Sequence, residues 1–203
     1  PMDELAKMKP DIIINISASP FANKKTDSKR KIFTEKASKH KLPLFMVNQV
    51  GANTELIFEG NSMVVGPEGN IFSLFPSFEE HTESFDLDNV LKSNGENIPE
   101  SKRIEMIYSA LVMGLRDYFD KMNFPSAVLG LSGGIDSAVC LCIAVTALGP
   151  ERVRALMLPS MYSSEHSVKD AIDLCDKLGV KYDIINIEDA YRSVEESLSD
   201  IMK

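Results

Sequence analysis

The sequence predicts an α/β protein in two parts, with a parallel sheet in the second. Three observations carry this. Between residues 126 and 187, short apolar runs alternate with helix-length segments in the order strand, helix, strand, helix, strand, and parallel neighbours need crossovers of that kind. The first strand of that series ends in a glycine turn that opens directly into a helix. Before residue 76, β-branched runs flank a basic, helix-compatible stretch and lead into a hairpin signal, and an acidic, proline-broken segment then changes the texture.

The elements follow in order. DIIINIS (11–17) is a continuous β-branched run, expected to be a strand buried on both faces. The basic stretch 24–41 suits a helix with Ile32, Phe33 and Ala37 on one side, and LPLFMVNQV (42–50) reads as a second buried strand. NSMVVGPEGNIFSLF (61–75) predicts a hairpin turning at Gly66-Pro67-Glu68-Gly69. Residues 76–100 read as a surface wrap or linker. Residues 101–122 carry Ile104, Ile107, Tyr108, Leu111, Leu115 and Tyr118 at helical spacing. A buried strand at 126–131, an apolar helix at 137–149 ending on Gly149, a strand at 152–158, a helix at 167–179 ending on Gly179 and a strand at 181–187 complete the start of a doubly wound domain.

Bulk properties exclude some functions. Net charge is −8 over 203 residues, which argues against nucleic acid as the main partner, because phosphate backbones reward a basic face. No apolar run nears the roughly 18 residues of a membrane span, and no secretory signal opens the chain. Cys140, Cys142 and Cys175 form no CxxC or zinc spacing; they read as small apolar fillers and fit a reducing cytoplasm. The chain plunges into a strand near its start and closes on an amphipathic helix without a stop signal, so we expect an internal piece of a longer protein.

GLSGGIDS (130–137) carries the chemistry. The first turn of a helix leaves N–H groups unpaired at the positive end of its dipole, which makes an anion site. Gly133 and Gly134 let a phosphate approach the backbone. Ser132 and Ser137 place hydroxyls at both lips. Asp136 would repel phosphate unless a cation lies between them, and Mg²⁺ held by one carboxylate plus phosphate oxygens resolves that conflict. No lysine follows the glycines, so this is not the common nucleotide loop. The plain alternative is a turn that only connects strand to helix.

SGGIDS (132–137) resembles the SGGxDS motif of ATP pyrophosphatases, which grip the β- and γ-phosphates of ATP while a substrate is adenylated at the α-phosphorus. The resemblance implies ATP contacts along Gly130, Leu131, Ser132, Gly133, Gly134, Ile135, Asp136 and Ser137, with Asp136 on Mg²⁺. The following stretch, LPSMYSSEHSVKDA (158–171), resembles NAD⁺ synthetases. It places Tyr162 and His166 just past a strand's C-terminal end, where open sheets bind ligands; His166 is expected in a helix-start or hydrogen-bonding role rather than a catalytic one.

The first part resembles the back half of a nitrilase-type glutamine amidase domain, on INISASPF (14–21), LPLFMVNQVG (42–51) and ELIFEGNSMVVGPEGN (55–70), as that domain occurs in glutamine-dependent NAD⁺ synthetases. This implies part of an α-β-β-α sandwich at 1–85, a linker at 86–100 and the start of the synthetase domain at 101–203. It implies glutamine contacts at Ser19 and Lys25; a lysine can pair with the α-carboxylate and a serine can orient it. Lys29 and Arg30 stand as other candidate cations. Read from the residues alone, Ser19 caps a turn before Pro20 and Lys25 lies on a solvated helix face.

The amidase cysteine, glutamate and lysine precede the first strand in that family, and the contacts to deamido-NAD⁺ follow residue 203. No residue here can be the amidase nucleophile, so the isolated chain is expected to be inactive. The resemblance implies a cytoplasmic, homo-oligomeric whole that uses ATP, deamido-NAD⁺ and glutamine-derived ammonia, with no membrane or nucleic acid. Another ATP-pyrophosphatase-type amidotransferase, or a non-catalytic nucleotide-binding module, is the alternative.

Overall fold

The structure, a computed structural model, describes residues 1–22, 25–94, 102–199 and 201, with only the backbone of Lys25 and Thr26. The chain forms two compact units, Pro1–Tyr118 and Phe119–Lys203. The segment expected as a linker at 86–100 falls partly outside the described residues.

The first unit opens with a short helix α1 (Met2–Lys7), strand β1 (Ile13–Ser17), helix α2 (Lys25–His40) and strand β2 (Leu44–Asn48). A separate antiparallel pair follows, β3 (Val50–Asn53) and β4 (Leu56–Glu59), then β5 (Met63–Val65) and β6 (Ile71–Leu74). The sheet order is β1-β2-β5-β6, parallel between β1 and β2 and antiparallel elsewhere. The 66–69 turn joins β5 to β6 as expected: Gly66 N–H donates to Asn70 O and Gly69 N–H to Gly66 O.

One face of this sheet makes the core. Ile13, Leu44, Met46, Met63 and Val65 close on Ala37 of α2, with Phe33 packed alongside. The expectation that β1 is buried on both faces is not met. Alternate side chains of a strand point to opposite faces, and Ile14 and Ile16, opposite Ile13, are 58% and 82% exposed. Ile32 likewise stays exposed on α2.

The stretch after β6 is more ordered than its composition suggested. Phe85 packs its ring against Phe45, Phe72 and Phe75. Asp86 then caps helix α3 (Leu87–Lys92) by accepting from Asp88 N–H, and Val90 is fully buried.

Helix α4 (Arg103–Lys121) occupies its expected place with a different buried face. Ile104, Tyr108, Leu111 and Tyr118 are exposed. Ala110 and Met113 pack instead with Phe78, Phe21, Val50, Ile57 and Met106. Gly114 explains the choice: a Cβ there would press on Ile57 Cδ1 at 3.0 Å, so the small residue lets the β3–β4 hairpin approach this side. Asp117 Oδ2 accepts from Ala52 N–H at 2.7 Å on the same face.

The second unit runs β7 (Ala127–Gly130), α5 (Ile135–Leu148), a 3-10 turn at Pro150–Arg152, β8 (Val153–Met157), α6 (Glu165–Leu178), β9 (Lys181–Ile184) and α7 (Glu188–Leu198). Its sheet is parallel throughout, in the order β7-β8-β9. Val153, Ala155 and Met157 of the central strand are buried, together with Leu141 of α5 and Ala171 and Cys175 of α6. Gly149 and Gly179 cap α5 and α6, donating to Val145 O and Asp176 O. β7 is not buried on both faces as expected, because Val128 on its second face is 64% exposed. Cys175 is a core residue whose thiol burial pushes up. Cys140 is exposed, so the expectation of an apolar filler fails there.

Candidate functional site

The 130–137 loop stands at the C-terminal end of β7, the edge where open parallel sheets bind ligands. Leu131 N–H donates to Leu156 O at 2.8 Å, which carries the β7–β8 pairing one residue past β7. The chain then reverses within three residues. Gly133 takes φ +79°, and Gly134 leads into α5 from extended backbone. Gly134 has no side chain to cap α5, so the first-turn N–H groups carry no side-chain cap.

Two hydroxyls brace the turn. Ser132 Oγ and Ser137 Oγ lie 2.9 Å apart. Ser137 Oγ accepts from Ser132 N–H at 3.2 Å and reaches Gly134 O at 3.0 Å. Ser132 Oγ accepts from Gly134 N–H at 3.3 Å. Asp136 stands exposed in the first turn of α5 and Ile135 beside it is 75% exposed. Thus all eight expected residues of this loop are contiguous around one helix start.

A cavity of about 120 Å³ adjoins the loop, lined by Leu131, Ser132, Met157, Pro159, Ser163 and Ser167 among others. Its far wall is the start of α6, where Ser164 caps the helix by accepting from Ser167 N–H at 3.2 Å. His166 lies exposed in that first turn, consistent with the helix-start placement. Tyr162 points elsewhere. Its hydroxyl is 3.4 Å from that of Tyr191 on α7, with the rings edge to face. The Tyr191 hydroxyl is pushed up to about 12, first by that hydrogen bond and then by the Glu195 carboxylate. Glu188 at the start of α7 pairs with Arg192 and accepts from Met161 N–H, and these contacts hold its carboxyl below the usual range.

The chemistry of the donor set suits a Mg²⁺ shared with phosphate. Among the described residues no three His, Cys, Asp or Glu side chains converge as a metal cage. A lone carboxylate beside uncapped N–H groups fits an ion that takes one protein ligand and otherwise phosphate oxygens and water.

The first unit holds a second candidate site. Ser19 lies just beyond β1, half-buried, and its hydroxyl makes no hydrogen bond among the described residues. The side chain of Lys25 lies outside the described residues, while its backbone opens α2. Sequence reasoning missed what surrounds Ser19. Asn48, Glu59, Asn61 and Ser62 are buried polar residues on the strand ends nearby. Asn48 Oδ1 accepts from Ser19 N–H at 2.8 Å, and its Nδ2 donates to Ser19 O at 3.2 Å and Gly60 O at 3.0 Å. Lys29 Nζ lies 2.8 Å from Glu59 Oε1 and 3.4 Å from Ser19 O. The signal was available in LIFEG (56–60), where a carboxylate ends an apolar strand run.

Comparison with known proteins agrees with this layout. The family model for NAD synthase matches residues 107–202. The glutamine-dependent NAD(+) synthetase of Synechocystis sp. is 37% identical over 98% of this chain and 36% of its own length. That of Rhodobacter capsulatus is 36% identical over 98% of this chain and 37% of its own. Among solved structures, the glutamine-dependent NAD+ synthetase of Acinetobacter baumannii in complex with ADP superimposes with a TM-score of 0.91 at 37% identity, over 98% of this chain and 38% of that one. The enzyme of Cytophaga hutchinsonii, at 14% identity and a TM-score of 0.83, shares the fold. The chain spans a little over a third of the length of these relatives. By sequence along nearly all its residues and by its α/β fold, the chain belongs to the glutamine-dependent NAD(+) synthetase family.

Proposed function

We propose that the protein carrying this chain makes NAD⁺ from deamido-NAD⁺, with ATP as activator and glutamine as the ammonia source. The observation that carries the proposal is the start of α5: uncapped N–H groups, two braced hydroxyls and one carboxylate around a single turn. Such a turn can hold the pyrophosphate part of ATP while the nicotinate carboxylate attacks the α-phosphorus. The α-phosphorus–oxygen bond breaks and pyrophosphate leaves, giving the adenylate. Ammonia then attacks the carboxyl carbon and AMP leaves, giving the amide.

Ser132, Ser137 and the Ile135–Ser137 N–H groups stabilise charge gathering on the leaving pyrophosphate. Asp136 would hold Mg²⁺, which supplies charge neutralisation to the phosphates. The ADP held by the Acinetobacter relative supports nucleotide use here.

In the first unit, Ser19 and Lys25 are proposed to bind glutamine, within part of a nitrilase-like domain. The sheet β1-β2-β5-β6 with α2 against one face supports that reading. The functional boundary is proposed within 86–100, since the family match begins shortly afterwards at 107. A cytoplasmic setting is supported by three free cysteines. A homo-oligomeric whole is proposed from the family resemblance alone.

The test is pyrophosphate release by the full-length protein with ATP, Mg²⁺ and ammonium, with and without deamido-NAD⁺. Release should depend on deamido-NAD⁺, and Asp136→Ala should lower it about a hundredfold without unfolding the protein. Support by a different acid and none by deamido-NAD⁺ would overturn the reading.

A further inference from the structure

Two side chains of the first unit, Asn48 and Lys29, hold the main chain of Ser19, and the buried Ser62 and Glu59 join them. Asn48, Glu59, Asn61 and Ser62 are each under 9% exposed. Asn48 clamps the Ser19 peptide from both sides, accepting from its N–H and donating to its C=O. The Asn48 backbone is itself tied, its N–H donating to Ser62 Oγ at 3.0 Å. Lys29 Nζ then bridges the Ser19 carbonyl to Glu59 Oε1. Glu59 is 1% exposed, and its Oε2 is buried with no hydrogen-bond partner among the described residues.

Stability does not require this arrangement. A buried ion pair gains little over well-packed apolar side chains, because both charges lose their hydration. An unsatisfied buried carboxylate oxygen adds cost. What the cluster does achieve is placement. It holds both polar groups of the Ser19 peptide, and the Ser19 hydroxyl stays uncommitted among the described residues.

We propose that Lys29 is a positioning residue that, with Glu59 as its anchor and Asn48 opposite, fixes the Ser19 carbonyl so that the Ser19 hydroxyl meets the glutamine substrate. This rests on the glutamine-binding reading of Ser19. Glu59 orients the Lys29 ammonium, and the ammonium fills the second lone pair of a carbonyl that Asn48 already holds. Losing the bridge leaves that carbonyl held by Asn48 alone.

The experiment uses the full-length protein and compares glutamine-supported with ammonia-supported NAD⁺ formation. Lys29→Met alone strands a buried carboxylate and destabilises, so the informative variant is Lys29→Met/Glu59→Gln, in which no buried charge is left unpaired. It should melt near the wild-type temperature, raise the glutamine KM about tenfold and leave the ammonia-supported rate unchanged. Lys29→Arg, which keeps a donor for both partners, should hold the KM near wild type. A double variant with wild-type glutamine KM would overturn the proposal. Ser19→Ala separates the two levels. If it raises the glutamine KM while the double variant does not, the positioning role alone is wrong. If Ser19→Ala leaves the KM unchanged, the glutamine reading of Ser19 is wrong and the proposal falls with it.

Discussion

Gly133 lies against the main chain of Ser167, so closely that a Cβ on Gly133 would overlap the Ser167 carbonyl. The loop and the start of α6 are therefore fitted to each other through backbone, which cannot rotate aside. Gly133 also holds φ +79°, where a side chain costs about 1–2 kcal/mol before any overlap. Gly133→Ala should lower the melting temperature of the full-length protein and abolish nucleotide binding. Gly134→Ala is the contrast, because its φ is −86° and its Cβ would make an ordinary 3.4 Å contact with Ser132 Oγ. Thermal melts and nucleotide titration of the pair check this.

Ser137 braces the turn and is also proposed to touch phosphate. Ser137→Ala removes the acceptor for Ser132 N–H and the donor to Gly134 O. The site is partly open to water, so stability should fall by only about 1 kcal/mol. The larger effect should be a rise of about tenfold in the KM for ATP. Steady-state kinetics at saturating ammonium and deamido-NAD⁺ measure it. An unchanged KM would remove Ser137 from the phosphate contacts.

Asp117 ties α4 to the β3–β4 hairpin, and φ +118° at Gly51 brings the hairpin backbone within reach of its carboxylate. Asp117→Ala should cost about 1.5–3 kcal/mol, the range for a hydrogen bond to a charged group. Asp117→Asn keeps an acceptor and should lose less. Urea midpoints of the two variants give the comparison.

Arg154 and Asp183 join β8 to β9 by a bidentate pair, Nε to Oδ2 and Nη2 to Oδ1. The Arg154 guanidinium holds the Asp183 carboxyl below its ordinary value of 3.8. A depressed carboxyl contributes stability that is present above the unfolded value and lost as pH falls through the folded one. Asp183→Asn should therefore lower the melting temperature slightly at pH 7, since the pair is exposed and screened. The gap should close as pH drops below 3.8. A gap unchanged at low pH would show that packing, not charge, is what the substitution removed.

The second unit was the more legible part. Its strand–helix alternation repeats on a short period, its helices end on Gly149 and Gly179, and the loop motif is contiguous, so local pattern and tertiary structure agree. Burial was harder to read. Ile14, Ile16 and Val128 sit in runs that look buried on both faces, yet a run alone does not say whether both faces are covered. On α4 the larger residues Leu111 and Tyr118 drew the buried stripe to the wrong side. The packed side is set by small residues, Ala110 and Gly114, that admit the hairpin. The Ser19 surroundings were invisible for another reason. Lys29 and Glu59 are 30 positions apart, and nothing local in either announces the other.

The strand order of the second unit bears on how the chain is made. β7, β8 and β9 pair in the order in which they leave the ribosome. Each new strand docks on the outer edge of what is already present, after one helix, and none must be threaded between earlier ones. In the first unit, by contrast, β2 waits through the β3–β4 excursion before β5 arrives to cover its open edge. Until then β2 presents an unpaired row of backbone donors and acceptors to other nascent chains. The open edge of β2 is thus covered only once residues 63–65 have been made.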